Sequence, residues 1–206
     1  MTAPQTPGDV TVDVVFPVDG QTLPRDHAQA LQQALCAQMP WLGTETLAGV
    51  QPIKLVPGGD EPALLSRRAR LLLRVGARRM DELMALAGLD LSVDGHRLRL
   101  GAPHKRELQP HATLYAYKVA ADSADEVAFM ATVTRELDTL AIGGERVCGK
   151  RRRMVISGRV LDTFSLMLHA LPEEQSLRLQ RSGLGPHRLL GCGIFVPHKS
   201  AAAVGS

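Results

Sequence analysis

The chain has 206 residues, of which 45% are hydrophobic and 22% charged, with a formal net charge of +3. That composition excludes a largely disordered chain, and apolar runs as short as Leu71-Leu72-Leu73 fall far below the ~18 residues of a membrane span. The N-terminus lacks the basic-then-apolar pattern of a secretion signal, and Cys36, Cys148 and Cys192 are too few and too far apart for a disulfide framework or a zinc site. A reducing cytoplasm is the expected compartment.

In chain order, residues 10–18 alternate, with Val12, Val14 and Phe16 on one face, and predict a strand. Asp26-His27-Ala28-Gln29 has the form of a capping box with Asp26 as N-cap. Leu31, Leu35 and Met39 follow at helical spacing, and Pro40 stops the helix. Gln51 to Val56 reads as a second strand, ended by Pro57-Gly58-Gly59. A third strand over 67–76 turns Ala69, Leu71, Leu73 and Val75 one way. Arg68, Arg70 and Arg74 point the other, toward a cleft or toward solvent. Asp81 to Ala87 is a helix with Gly88 as its C-cap, and His96 to Leu100 closes the unit.

The order strand, helix, strand, strand, helix, strand then repeats. Thr113 to Ala120 is a strand, and Ser123 to Glu126 forms another capping box. Val127, Met130, Val133, Leu137 and Leu140 make a helical stripe that ends at Gly143-Gly144. Met154 to Ser157 and Val160 to His169 pair around Gly158. Pro172 opens a helix that ends before Gly183, and Ile194 to Val196 is the last strand. The predicted fold class is α+β, with two tandem ferredoxin-like (βαββαβ) domains and a C-terminal glycine-rich loop. The expected boundaries are 9–100, a linker over 101–112, 113–199, and a disordered tail over 200–206.

Charge is uneven along the chain. Residues 146–199 hold ten Lys and Arg against three acids, which leaves the remainder acidic. An arginine-rich segment suits phosphate, because the guanidinium fork binds it bidentately; the alternative is a solvated basic surface. With 3% aromatic residues, base stacking is not expected to dominate binding. Lys150, Arg151, Arg152 and Arg153 form the densest cluster, read either as a grip on a stem's phosphates or as a mobile basic loop. Residues 183–193 run Gly-Leu-Gly-Pro-His-Arg-Leu-Leu-Gly-Cys-Gly. Gly183, Gly185, Gly191 and Gly193 allow positive φ and close approach to another backbone or to a phosphate. His187 and Arg188 lie between them as candidate phosphate contacts. Neither a dinucleotide fingerprint nor a Walker loop is present.

This loop resembles the C-terminal glycine-rich loop of the repeat-associated RNA-binding proteins of CRISPR systems. Three blocks carry the resemblance: Phe16-Pro17-Val18-Asp19-Gly20 with Leu23-Pro24-Arg25-Asp26-His27; Leu98-Arg99-Leu100-Gly101; and Ser176-Leu177-Arg178-Leu179-Gln180 through Pro197. The N-terminal block is most similar to the repeat-cleaving endoribonuclease family, the sixth Cas protein, of the subtype named for myxobacteria. The resemblance implies a metal-independent cut in the repeat of precursor CRISPR RNA. A ribose 2′-hydroxyl attacks the adjacent phosphate to leave a 2′,3′-cyclic phosphate, and the product crRNA often stays bound inside an effector complex with other subunits. It implies no cofactor. The alternative within the superfamily is a subunit that holds crRNA without cutting it.

Such chemistry needs a base for the 2′-hydroxyl and positive charge near the phosphorane. Among seven histidines, His27 shares the stripe of Leu31 in the first turn of a helix. The partial positive charge there disfavours imidazolium and leaves a neutral ring suited to general base catalysis. The family's catalytic histidine lies in this first helix, and His27 matches it; packing or capping is the other role open to it. Family members often add a tyrosine, serine or lysine, for which Tyr115, Tyr117 and Lys54 are candidates that no motif selects. No His/Cys/Asp cluster has metal-ligand spacing, and no serine-hydrolase elbow is present.

Overall fold

A computed structural model describes residues 10–59 and 61–198. The expected tail over 200–206, residue 9 and Lys199 lie outside the described residues. The chain is α+β and divides into two compact units, Met1–Glu107 and Leu108–Ser206. Among the described residues no helix is long and apolar enough to cross a membrane.

The first unit is laid down as β1 (Thr11–Asp19), β2 (Thr22–Leu23), α1 (Ala28–Gln38), β3 (Gly49–Gln51), β4 (Ala63–Leu64) and β5 (Arg70–Gly76). It continues with α2 (Met80–Met84), β6 (Asp90–Val93), β7 (His96–Leu100) and β8 (His104–Glu107). Its main sheet runs β3-β5-β1-β7-β6, and β2 pairs with β4 apart from it. β7 pairs with only Val18 and Asp19 of β1. That would leave the rest of one β1 edge with unmet backbone donors and acceptors. β8 fills the gap by pairing with Val12 to Val15, so residues 104–107 are a strand rather than linker.

The predicted second strand is shorter than Gln51 to Val56: β3 ends at Gln51, and only Leu55 returns to a bridge, with Leu65. α2 has five residues, and the β6–β7 hairpin supplies a strand that the alternation did not announce. Val12, Val14, Phe16, Leu31, Leu35, Leu71, Leu73 and Val75 are buried as their spacing predicts. Arg74 departs from the expected open arginine face. It is 0% exposed and pairs with Asp13, 2% exposed, on the facing strand.

The second unit comprises β9 (Leu114–Ala121), α3 (Glu126–Thr139), β10 (Glu145–Ile156), β11 (Arg159–His169), α4 (Glu173–Ser182) and β12 (Val196–Pro197). Its sheet order is β10-β11-β9-β12. Leu114, Ala116, Phe129, Val133, Leu137, Phe164, Leu166 and Leu179 form its core. Val127 is 78% exposed, and Phe129 takes the place the stripe had given it. The reason is the cap: Asp125, not Ser123, accepts the Val127 and Ala128 amides, which sets the helix phase. Likewise α1 is entered through His27, with no side-chain cap, rather than through Asp26. Ser157 and Gly158, with φ of 49° and 78°, join β10 to β11 in the tight turn that matches strand twist.

Candidate active site and nucleic-acid interface

His27 sits where Pro24-Arg25-Asp26 delivers the chain into α1. Its ring is held at both nitrogens by backbone. Nδ1 lies 2.8 Å from the Pro24 carbonyl oxygen, and Nε2 accepts the Ile53 N–H at 3.1 Å. A carbonyl accepts only and an amide donates only, so the proton is on Nδ1 and the lone pair on Nε2. The residue is 3% exposed. This arrangement serves packing as well as it serves a base. Lys54 follows Ile53 directly, so the same contact brings the lysine's backbone beside the histidine, with its side chain exposed.

Tyr115 and Tyr117 share one face of β9, edge to face at 4.9 Å, and Tyr115 also meets the His198 ring at 5.2 Å. They belong to the second unit, whereas His27 and Lys54 belong to the first.

Lys150 to Arg153 are part of β10 rather than a loop preceding it. The β10–β11 register shifts between Cys148 and Arg151, a bulge placing Gly149 and Lys150 opposite Ser165. A side chain on Gly149 would meet the Ser165 hydroxyl at 2.5 Å. All four basic residues are exposed, but they are not equivalent. Arg151 is tied to Asp162 at 2.8 Å, and Arg152 donates to the Tyr117 carbonyl at 3.1 Å. Lys150 and Arg153 make no ion pair among the described residues, so their charge is uncommitted.

The glycine-rich loop is a knot of backbone. Gly183, Gly191 and Gly193 are buried. A Cβ on Gly193 would fall on the Leu184 carbonyl, and one on Gly183 would fall on the Arg188 guanidinium. Arg188 is 8% exposed and donates to the Ser182 and Arg181 carbonyls at 2.6 and 3.2 Å. It satisfies the C-terminal carbonyls of α4, where a cation is favoured, and so is committed to the fold. The Gly185 amide donates to Glu136 at 2.9 Å, and His187 is exposed at φ 66°. Within this loop Cys192 is buried, and burial pushes its thiol up to about 11. Desolvation, assisted by Glu126, does the same to Cys148. Both are therefore poor nucleophiles at neutral pH.

Sequence reasoning named Arg25, Arg70 and Arg99 but did not assemble the two neighbourhoods they belong to. Arg25, in the turn before His27, donates its amide to the Glu61 carboxylate at 3.1 Å. Arg67, Arg70 and Arg99 converge at the C-terminal end of β1. The β1 pairing register carried the second signal, and sequence alone does not contain it. No group of three or more potential metal ligands lies together among the described residues.

Comparison with known proteins now adds to this geometry. The family model described as Cas6 Crispr matches residues 12–200. The CRISPR-associated endonuclease Cas6 of Myxococcus xanthus (strain DK1622) is 38% identical over 198 residues, covering 96% of this chain and 86% of that one. A solved CRISPR associated protein Cas6 is similar with a TM-score of 0.68 at 9% identity, covering 92% of this chain and 100% of the other. Thermus thermophilus Cse3, solved bound to an RNA representing a pre-cleavage complex, gives 0.51 at 17% identity, with 91% and 98% covered. The fold is thus one shared with CRISPR-associated proteins. The chain belongs to the Cas6 family of CRISPR-associated endonucleases.

Proposed function

We propose that this chain is a metal-independent endoribonuclease that cuts the repeat of precursor CRISPR RNA and keeps hold of the crRNA it makes. His27 is the general base. Both units are read as ferredoxin-like. In support, each sheet sets its first long strand between the third and fourth strands of a βαββαβ order. The single observation that carries the chemical reading is the tautomer of His27. With Nδ1–H given to Pro24, Nε2 holds the lone pair that a 2′-hydroxyl needs. In the reaction that hydroxyl takes the place of the Ile53 amide at Nε2, and the Ile53–Lys54 segment moves aside. The 2′-oxygen then attacks the adjacent phosphorus, the 5′-oxygen leaves, and a 2′,3′-cyclic phosphate forms. Lys54 supplies positive charge to the phosphorane.

Lys150 and Arg153 hold the RNA through its phosphates, with His187 and Gly185 as the outward part of the glycine loop. Gly183, Gly191, Gly193 and Arg188 support RNA binding by building that loop. Tyr115 and Tyr117 remain positions for variants rather than assigned groups. Retention of product gives a partner role beside other effector subunits, in a cytoplasm that suits three free cysteines.

The test is single-turnover cleavage of the cognate repeat RNA in excess EDTA, with a second substrate lacking the 2′-hydroxyl upstream of the cut. One cut in EDTA, lost with the deoxy substrate, is expected. Cleavage lost in EDTA and restored by a divalent ion overturns the mechanism. Tight binding without any cut makes the chain a crRNA holder.

A further inference from the structure

We propose that a groove in the first unit, at the C-terminal end of β1, is a phosphodiester-binding subsite that grips a strand of the RNA apart from the basic strand β10. The inference rests on the RNA-binding function proposed above and adds a site to it.

The pairing register builds the groove. Pro17 of β1 faces Arg70 of β5, and Asp19 faces Arg99 of β7. Positions 17 and 19 share a face of the strand. Arg70 and Arg99 therefore stand on one face of the sheet, on either side of the same strand end. Arg67, in the segment leading into β5, completes the wall. The space between is about 480 Å³.

Close backbone contacts fix the end of β1. Gly20 has no room for a side chain, since a Cβ would lie 2.8 Å from the Arg97 carbonyl oxygen, and Gly101 donates its amide to the Pro17 carbonyl at 2.8 Å. Gly20 thus packs on the β7 backbone and Gly101 on Pro17, which fixes the strand ends that carry the arginines.

The charge balance names the ligand class. Three guanidiniums face one carboxylate, Asp19. Arg67 makes no hydrogen bond or ion pair among the described residues. Arg70 donates to the adjacent Ala69 carbonyl at 2.9 Å, which neutralises nothing. Arg99, 50% exposed, shares Asp90 with Arg97 and lies at 3.4 Å from it, farther than Arg97 does. Guanidinium groups with unspent donors on one face bind phosphate oxygens in bidentate fashion. An RNA backbone, with repeated phosphates, matches a row of such forks.

The experiment uses the full chain and its repeat RNA. Binding of wild type, Arg67→Ala/Arg70→Ala, Arg99→Ala and, as control, Arg135→Ala is followed by fluorescence anisotropy across a salt series. Inorganic sulfate serves as competitor, and melting temperatures are recorded in parallel. Arg135 is exposed on α3 and outside any site described here. Each lost phosphate contact should lower the slope of log affinity against log salt by about 1. The expected result is a slope reduced by about 2 in the double variant and about 1 in Arg99→Ala, with Arg135→Ala at the wild-type slope. Sulfate at matched ionic strength should compete weakly, because a single anion engages one fork. Unchanged slopes in the groove variants, or equal losses in Arg135→Ala, overturn the subsite while the proposed function stands if wild type binds and cuts. Full competition by sulfate makes the groove a simple anion site and overturns the RNA assignment. A wild type that binds no RNA overturns both.

Discussion

Nε2 of His27 accepts the amide hydrogen of Ile53 at 3.1 Å, joining the entry of α1 to the segment that follows β3. One imidazole thus closes a loop of the chain and carries the lone pair assigned to catalysis. The two roles separate experimentally. His27→Ala should slow single-turnover cleavage by roughly 10²–10⁴. It should also lower stability by about 1–3 kcal/mol, because the Pro24 carbonyl and the Ile53 amide lose their partner. His27→Asn, which can still bond backbone, should recover much of the melting temperature and none of the rate. A His27→Ala protein that cuts at the wild-type rate moves the search for the base to Lys54, Tyr115 and Tyr117.

The glycine-rich loop gives a ranked series. Gly185→Ala meets only Val119, at 4.0 Å, and bears the backbone strain of φ +66°, about 1–2 kcal/mol. Gly183→Ala adds a collision with the Arg188 guanidinium and the Gly193 carbonyl, and Gly193→Ala a collision with the Leu184 backbone. Backbone yields little, so chemical denaturation should show Gly183→Ala and Gly193→Ala each losing more stability than Gly185→Ala. Equal losses would mean that φ alone governs the loop.

Asp13 is flanked by Arg74 at 2.8 Å and Arg106 at 2.9 Å. Removing a buried ion-pair partner strands a charge, so Asp13→Ala should cost about 3–5 kcal/mol. Arg106, 53% exposed, leaves Asp13 still paired, and Arg106→Ala should cost about 0–1 kcal/mol. Denaturant midpoints compare the two directly.

On β10, alanine at Lys150 or Arg153 should each flatten the salt dependence of RNA affinity by about 1 in log–log slope. Arg151→Ala should change it less, because Asp162 already neutralises that guanidinium. Equal slopes for all three variants would mean that the strand acts as diffuse charge.

The Cys192 thiol, raised from 9.0 to about 11 by burial, makes a pH prediction. The unfolded chain ionises this thiol first, so its stabilising contribution is full below pH 9 and declines as pH rises toward about 11. Melting temperature should therefore fall more steeply over that window in the wild type than in Cys192→Ala. Parallel slopes would mean the thiol is reached by solvent in the folded loop.

What the sequence disclosed follows from local periodicity. Val12-Val14-Phe16 and Leu31-Leu35 announce their elements because alternation and helical spacing are written in adjacent residues. Helix phase was less legible. Ser123 and Asp125 compete for one cap, and Asp125's capture of the Val127 amide sends Val127 outward. The arginines were least legible. Arg74, Arg151 and Arg188 look alike in a sequence, yet partners on other strands or loops make one a buried ion pair, one a surface pair and one a helix terminus. His27 was found by its place in a motif, and its two backbone bonds depend on Ile53, which no local pattern links to it.

The sheet of the second unit joins its first strand to its last. Val196 pairs with Tyr115, the His198 amide reaches the Thr113 carbonyl at 3.2 Å, and Gly193 donates to Lys118 at 2.7 Å. During vectorial synthesis β9 emerges early and waits with one edge unmatched until β12 leaves the ribosome. An unmatched edge is a template for other chains, and contacts so distant along the chain form late. The second unit is therefore completed after translation of its last strand. A nascent chain stalled ahead of Gly193 should be sensitive to protease throughout residues 114–169, while the first unit, whose strands close by Glu107, is already resistant.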